Sequence, residues 1–213
     1  MTAPFWTLHS VSAPAPAASP GYARTRPKLR RVAGEGVSRN GFWMGTLSVE
    51  QLDDNYDAWR DLAARSLEPN AFLEPGFALQ LARHAPARSR PRFVGVWREG
   101  VGLGEARRLV GLFALAPASA MPSGLARLWL DKQAALAAPL LDRDCAEDVL
   151  ERFLDWLAKS GPAAGVVFPR LVEDGPLHRA LLAAARRSGR AALTLDRFER
   201  AMLKPGSDPD ELW

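Results

Sequence analysis

The sequence predicts an α/β domain in which helices pack on a mixed β-sheet. Two kinds of apolar pattern indicate this class. Leu52, Tyr56 and Trp59 recur at helical spacing on one face. Residues 92–97 and 109–115 are short apolar runs with the length and composition of strands. The complete predicted order is β-α-α-β-β-β-α-β-α-β, which is typical of a layered α/β sheet.

The composition is that of a globular protein of ordinary domain size. The chain has 213 residues, of which 47% are hydrophobic and 24% are charged. Its single cysteine excludes an internal disulfide. The sequence contains no apolar run near the roughly 20 residues of a membrane span, and its first residues lack the pattern of a signal peptide. We therefore expect a cytoplasmic protein without membrane insertion.

The positive charge of the chain is concentrated near its start. Residues 1–40 contain six basic residues and one acidic residue, a sum of +5, whereas the whole chain carries +4, so the remainder sums to −1. The same residues are rich in Ala, Pro and Ser and lack apolar periodicity. We predict a disordered basic tail at 1–40, and no specific nucleic-acid binding by the folded part.

The first predicted helix is preceded by a strand at 42–47. Ser48 and Gln51 have the spacing of a capping box, and the helix is predicted to run to about Leu67. A turn at 70–74 follows. Pro75 is then predicted to begin a short helix that Pro86 ends, because proline is favoured at the first helical position, and Phe77, Leu81 and His84 line one side of it.

The remaining elements follow from the same rules. Asp142 or Asp144 is predicted to cap a helix that ends at Gly161-Pro162, and Gly189 is predicted to end the last helix. The last helix is predicted at 176–188. The predicted strands lie at 92–97, 109–115, 125–130, 166–169 and 191–203. Of these, 166–169 is expected to be buried, and 191–203 is a long strand with alternating Leu193, Leu195 and Arg197.

Several of these features resemble one protein family. Trp59, the turn Asn70-Ala71-Phe72-Leu73-Glu74-Pro75, the strand pair containing Val94 and Leu109–Leu115, and the ending Asp208–Trp213 resemble the N-terminal half of CelD-like proteins. These belong to the GNAT superfamily, are linked to cellulose biosynthesis and are related to the FemAB-type tandem acyltransferases. The resemblance implies a GNAT-like mixed sheet flanked by helices, as one half of a tandem arrangement. It also implies transfer of an acyl group from acetyl-CoA or another acyl-CoA to an amine or hydroxyl acceptor.

The resemblance also indicates where an acyl-CoA site would lie. A GNAT domain holds the cofactor pyrophosphate on backbone N–H groups of a Gln/Arg-x-x-Gly-x-Gly/Ala loop that opens a helix. That loop would fall between Leu130 and Asp144, and this stretch contains no glycine. We therefore expect no cofactor-binding residues in this chain. The catalytic base is not assigned by the sequence.

The end of the sequence has the pattern of a helix start, with Ser207 as the cap, Pro209 in the first turn and acidic residues near the positive end of the helix dipole. The expected organisation is thus a tail at 1–40, a GNAT-like N-terminal domain at 41–205, and the start of a helix at 206–213 leading to a missing second domain. The expected partner is that C-terminal GNAT domain or a second copy of the chain.

One alternative places the cofactor in this chain. Gly100, Gly102 and Gly104 form a glycine-rich loop after a strand, and they would serve a single-domain acetyltransferase if residues 105–116 were helical. Arg186–Ala191 also matches the cofactor pattern literally, but it lies where a helix closes, so a glycine helix stop explains it better. A second alternative is a non-catalytic binding or dimerisation domain.

Other reactive residue types have weaker patterns. Asn70 and Glu74 are candidates for an acceptor cleft because they flank the family-like turn. Cys145 lies in the first turn of a helix, where the dipole can lower a thiol pKa, but no histidine accompanies it in sequence. His9, His84 and His178 lack metal-ligand spacing, so no metal site is expected. Glu173-Asp174 precedes Gly-Pro and is typical of a turn.

Overall fold

The computed structural model describes residues 41–100, 107–117, 125–160 and 165–199. The chain divides into two compact units, residues 27–191 and residues 1–26 together with 192–213. The first unit contains every helix and strand described here. They are β1 (Phe42–Leu47), α1 (Val49–Asp54), α2 (Tyr56–Ala64), a 3₁₀ turn (Ala71–Leu73), α3 (Pro75–His84), β2 (Arg92–Arg98), β3 (Arg108–Leu115), β4 (Leu125–Arg127), β5 (Leu140–Leu141), α4 (Ala146–Ser160), β6 (Gly165–Val167) and α5 (Pro176–Arg187).

The strands form a predominantly antiparallel sheet with a parallel pair beside it. Strands β1, β2, β3 and β5 lie in that order, and each neighbouring pair is antiparallel. Strands β4 and β6 pair in parallel, as expected for a connection that passes through helix α4. An antiparallel bridge between Leu115 and Leu128 joins β3 to the residue after β4. The predicted α/β class is therefore confirmed at the level of a mixed sheet with helices.

Helices cover both faces of this sheet. One core lies on the α4 and α5 side, where Phe113 of β3 stacks on Phe153 of α4 with ring centroids 3.7 Å apart. The other core lies on the side of α1, α2 and α3, where Trp59 is fully buried and its ring contacts Phe93. Alternating strand residues supply the two cores, because successive side chains of a strand point to opposite faces.

Strand β3 contains a bulge. Val96 pairs with Gly111 and Trp97 pairs with Leu109, so Val110 is an extra residue without a partner on β2. A Cβ atom on Gly111 would lie 2.5 Å from a methyl group of Val149. The missing side chain at 111 therefore lets helix α4 approach the sheet closely beside the bulge.

The N-terminal elements match the prediction except for one interruption. The Ser48–Gln51 capping box is present, with both reciprocal hydrogen bonds formed. The single helix predicted to reach Leu67 is wrong, because α1 stops at Asp54 and α2 ends at Ala64. Asn55 separates them, and its side-chain amide donates to the Gln51 carbonyl at 2.7 Å. Asparagine competes in this way with the regular backbone ladder.

The buried face of α3 is not the row of Phe77, Leu81 and His84. The helix begins at Pro75 as expected, but it buries Pro75, Ala78, Leu79 and Ala82. Small residues on this face allow the helix to lie near α1 and α2. Phe77 remains 38% exposed and packs edge-on against Phe72, with centroids 5.4 Å apart. The spacing of the large apolar residues predicted the helix, whereas mostly small residues form its buried face.

The C-terminal helices are as predicted, whereas several strands differ. Strand β4 is shorter than 125–130, and β6 at 165–167 is half-buried rather than buried. Helix α5 ends with Gly189 at a φ of 66°, and Arg190 N–H donates to Ala185 O at 2.8 Å. This bond and the positive φ of Gly189 are typical of a Schellman helix ending. The strand predicted at 191–203 is wrong over 191–199, where the chain is exposed and has no strand pairing.

Other predicted segments lie outside the described residues. These are the tail at 1–40, the helix stop at Gly161-Pro162, residues 200–203 of the last predicted strand and the helix start at 206–213.

Candidate functional site at the start of helix α4

A GNAT cofactor loop would lie between Leu130 and Asp144. In the structure, this segment leads from β4 through β5 into α4. Residues 131–139 cross this region without regular structure, and β5 then pairs with β3 through Leu140–Leu112 and Leu141–Gly111. The segment thus reaches helix α4 beside the β3 bulge. Its backbone is fixed by the sheet on one side and by residues 66–67 on the other, because Leu67 N–H donates to Leu141 O at 2.7 Å.

Asp142 is the central side chain of this site. It is 2% exposed. Its Oδ2 lies 2.7 Å from a guanidinium nitrogen of Arg65 and 3.6 Å from one of Arg108. Its backbone N–H donates at 2.9 Å to the carbonyl of Val110, the bulge residue. The bulge therefore turns a strand carbonyl toward the start of α4 and positions the buried carboxylate.

Arg65 spans the site between three acceptors. Its Nε lies 3.0 Å from a carboxylate oxygen of Asp61, and a terminal nitrogen donates to the carbonyl of Leu109. A third nitrogen contacts Asp142. The planar guanidinium suits such a set of divergent acceptors. Removing one member of a buried ion pair leaves the other charge uncompensated, so Asp142 and Arg65 depend on each other.

Asp142 accepts the backbone N–H groups of the two residues that precede α4. Its Oδ1 accepts from Asp144 N–H and its carbonyl accepts from Cys145 N–H, each at 3.1 Å. Residues 142–145 thus form the turn that leads into α4, whose own first N–H groups belong to Ala146, Glu147 and Asp148. The Asp142 carboxylate adds negative charge in this turn, which disfavours an anionic ligand at the helix start.

The first turn of α4 adds further negative charge. Glu147 and Asp148 lie there, and both contact Arg187 of α5, at 3.4 Å and 2.9 Å. Acidic residues at a helix N-terminus favour the helix through its dipole. They oppose a second anion such as a pyrophosphate. The charges at this helix start therefore favour the helix and disfavour an anionic ligand.

The only cysteine of the sequence lies in this region but is not activated. Burial, followed by the negative charge of Asp142, raises the pKa of the Cys145 thiol to about 11. The thiol therefore remains protonated near neutral pH, and the functional interpretation based on the helix dipole is wrong. Desolvation outweighs the dipole here because the side chain is 7% exposed.

The two acceptor-cleft candidates differ in their surroundings. Asn70 is 2% exposed, its Oδ1 accepts from Phe72 N–H at 3.0 Å and its Nδ2 donates to Ala138 O at 2.6 Å. It caps the 3₁₀ turn and attaches that turn to residues 131–139. Glu74 is exposed, precedes α3 and makes no side-chain capping hydrogen bond. Asn70 is therefore occupied structurally, whereas Glu74 is accessible.

A small depression lies against Asn70. Its cavity volume is about 10 Å³, and it is lined mainly by apolar groups, including Phe72, Trp129 and Leu136. Pockets for drug-sized ligands are usually about 300–1,000 Å³. Asn70 uses both polar groups of its side chain in hydrogen bonds beside this depression. The depression is too small for a coenzyme.

The glycine-loop alternative lacks its helix over the residues described. Gly100 follows β2, while Gly102 and Gly104 lie outside the described residues. Residues 108–115 form strand β3 and pair with β2. The helix that this alternative requires at 105–116 is therefore not formed over 108–115.

His178 and Asp174 lie beside each other, whereas His84 lies on a different helix of the described chain. His178 Nδ1 accepts from Asp174 N–H at 3.0 Å in the turn before α5. Asp174 has a φ of 59°, as expected for a turn residue. His84 lies in the last turn of α3, and His9 lies outside the described residues. Within the described ranges, no group of three His, Cys, Asp or Glu residues is placed to hold a metal ion.

Two residues have structural roles that the sequence did not indicate. Arg65 was not singled out as a partner of Asp142, because 77 positions separate them. Glu68 accepts from Leu177 N–H at 2.8 Å and so caps α5 from a distant part of the chain. Burial raises the pKa of Glu68, although the Leu177 hydrogen bond opposes this. Neither contact has a local sequence signal.

Comparison with known proteins gave no relative from which a function could be transferred. The chain matches no protein-family model, no curated protein and no solved structure. Among the helices described, none has both the length and the apolar character needed to cross a membrane.

Proposed function

We propose that this chain is the N-terminal, non-cofactor-binding GNAT-like domain of a CelD-like acyltransferase. The complete enzyme would transfer an acyl group from acetyl-CoA or another acyl-CoA to an amine or hydroxyl acceptor. The acyl-CoA site would belong to a second GNAT-like domain. This domain would serve as a docking and acceptor-side module.

The observation that carries the proposal is the internal carboxylate at the start of α4. A pyrophosphate site in a domain of this type needs free backbone N–H groups after the fourth strand. In this chain, Asp142 lies in the turn just before α4 and accepts the N–H groups of Asp144 and Cys145, and the first turn of α4 is acidic, which disfavours a pyrophosphate at this helix start. The parallel β4–β6 pair joined by α4 supports a GNAT-like arrangement, because the helix start lies at the carboxyl end of a strand.

Calorimetric titration of acetyl-CoA into the purified chain tests this proposal. We expect no saturable heat at micromolar ligand, because the helix start presents a carboxylate and two further acids. Micromolar binding would contradict the proposal and favour the single-domain acetyltransferase. In that case, Gly102→Ala and Gly104→Ala would show whether the glycine-rich loop binds the cofactor.

Glu74 provides the test for an acceptor-side function. In the complete enzyme, Glu74→Gln is expected to raise the KM for the acceptor while leaving the KM for acyl-CoA unchanged. The matched control is Asp54→Asn, which changes an exposed acid at the end of α1. If both substitutions change the KM for the acceptor equally, Glu74 does not line the acceptor cleft.

A further inference from the structure

Helix α5 is attached to the fold differently along its length. Leu177 in its first turn is 1% exposed, and its N–H donates to the Glu68 carboxylate at 2.8 Å. The second half of the helix, residues 182–187, fully buries only Ala184 and Ala185. Because apolar stabilisation scales with the area removed from water, these two methyl groups hold the second half less firmly than a leucine holds the first turn.

Charged contacts with α4 attach the second half of α5. Arg187, the last residue of α5, contacts three carboxylates of α4 at distances of 2.9 to 3.4 Å. These carboxylates belong to Glu147, Asp148 and Glu151. Arg190, which follows the helix, lies 2.8 Å from Asp155 of α4. Because positions 147, 151 and 155 share one helical face, α4 presents a row of acids to the end of α5.

These charged contacts lie at the surface of the protein. The six side chains that form them are between 28% and 53% exposed. Ion pairs of this exposure are weakened by salt, because mobile ions screen charges that face water. The attachment of the second half of α5 therefore depends on ionic strength, whereas that of the first turn rests on a buried leucine.

The end of α5 is tied to itself more than to other elements. The Arg190 N–H donates to the Ala185 carbonyl at 2.8 Å, and the Ser188 hydroxyl donates to the Ala184 carbonyl at 2.7 Å. These bonds join neighbouring residues of one segment, so they do not anchor the segment to α4. Once detached, the segment would lose its helical hydrogen bonds, because one or two isolated helical turns are unstable in water.

We propose that residues 182–190 form an ionic latch on α4. The latch is closed while Arg187 and Arg190 contact the α4 carboxylates. It opens as a unit, with loss of its helical hydrogen bonds, when these contacts are screened or removed, and the first turn of α5 stays in place. The compact unit that contains α5 ends at residue 191. The latch therefore decides whether the chain leaves this unit from a fixed or from an opened segment.

The latch goes beyond the proposed acyltransferase function and does not depend on it. Binding of acetyl-CoA would contradict that function without opening or closing the latch. Failure of the latch to open would leave the result of the acetyl-CoA titration unchanged. The two proposals therefore fail separately.

Hydrogen exchange of the full chain, followed by mass spectrometry of its peptides, tests the latch. In Arg187→Gln, we expect the amides of 182–187 to exchange about 5- to 20-fold faster than in the native chain, since three exposed ion pairs are lost. The amides of the β2–β3 pair should keep their exchange rates. The matched control is Arg186→Gln, which removes the same charge at the adjacent exposed position and should leave the exchange of α5 unchanged.

Salt provides the second measurement. Raising sodium chloride from about 0.05 M to about 1 M should speed the exchange of 182–187 several-fold in the native chain and much less in Arg187→Gln, since screening and substitution remove the same contacts. The latch is overturned if, in the native chain, these amides open only together with β3. Equal exchange in the two arginine variants, or an equal salt effect in the native chain and Arg187→Gln, would also overturn it.

Discussion

The start of helix α4 and the segment 192–199 both have a clear local sequence pattern, and they differ in what surrounds them. Before α4, Asp142 contacts its own turn and also two distant parts of the fold, the guanidinium of Arg65 and the carbonyl of Val110. In 192–199, the strand pattern has no partner in the described chain and the leucines remain exposed. The comparison shows that a local pattern becomes a stable element only when the rest of the molecule completes its contacts.

The largest effect should come from the buried carboxylate. Asp142→Ala is expected to destabilise the fold by about 3–5 kcal/mol, because it leaves the guanidinium of Arg65 buried without its closest counter-charge. Urea unfolding followed by circular dichroism measures the change. The control is Asp144→Ala, an exposed carboxylate two positions away, which should cost less than about 0.5 kcal/mol. Equal costs would mean that the α4 start is not held together by this ion pair.

The next effect concerns Asn70. Asn70→Ala is expected to cost about 2 kcal/mol or more, because Phe72 N–H and Ala138 O lose their buried partner. Glu74→Ala in the same turn should be nearly neutral, since Glu74 is exposed and makes no capping hydrogen bond. Thermal unfolding of both variants separates a structural turn from an acceptor cleft. If Asn70→Ala leaves the stability unchanged, the hydrogen bonds of Asn70 do not hold this turn in place.

A smaller, pH-dependent effect is expected at Glu68. Its folded pKa is raised, so the native chain loses stability relative to a neutral side chain as pH rises from below the usual glutamate range through the folded pKa. Glu68→Gln keeps an oxygen acceptor for Leu177 N–H. The stability of Glu68→Gln relative to the native chain should therefore be greater at pH 7 than at pH 4. A difference that does not change with pH would contradict the burial of this carboxyl group.

The smallest effect on stability should occur in the exposed segment. Leu195→Ser is expected to change the free energy of unfolding of the monomer by less than about 0.5 kcal/mol, because nothing in the described chain packs on it. The measurement is urea unfolding followed by circular dichroism. A loss near that of Asn70→Ala would show that the segment already has a partner within its own chain.

Reactivity of Cys145 gives an independent check on the α4 start. With a pKa of about 11, the thiol should react slowly with iodoacetamide at pH 7.5 in the folded chain and rapidly in urea. Mass spectrometry of timed samples measures both rates. Rapid labelling of the folded chain would contradict the burial of this side chain beside Asp142.

Short-range features of this protein were readable from its sequence. The capping box at Ser48, the helix start at Pro75, the antiparallel pair β2–β3 and the glycine ending of α5 all depend on neighbouring residues or on simple periodicity. Their physical causes are backbone conformation, hydrogen bonding over three or four positions, and apolar spacing. The sequence determined these elements almost without reference to the rest of the chain.

Tertiary structure decided where those elements point and which residues complete them. The buried face of α3, the break at Asn55 and the Arg65–Asp142 pair depend on what packs against each segment. The same is true of residues 191–199, which have strand propensity but no adjacent strand in the described chain. Propensity is local, whereas burial and pairing require partners many positions away, and for this reason the sequence alone could not place the carboxylate at the start of α4.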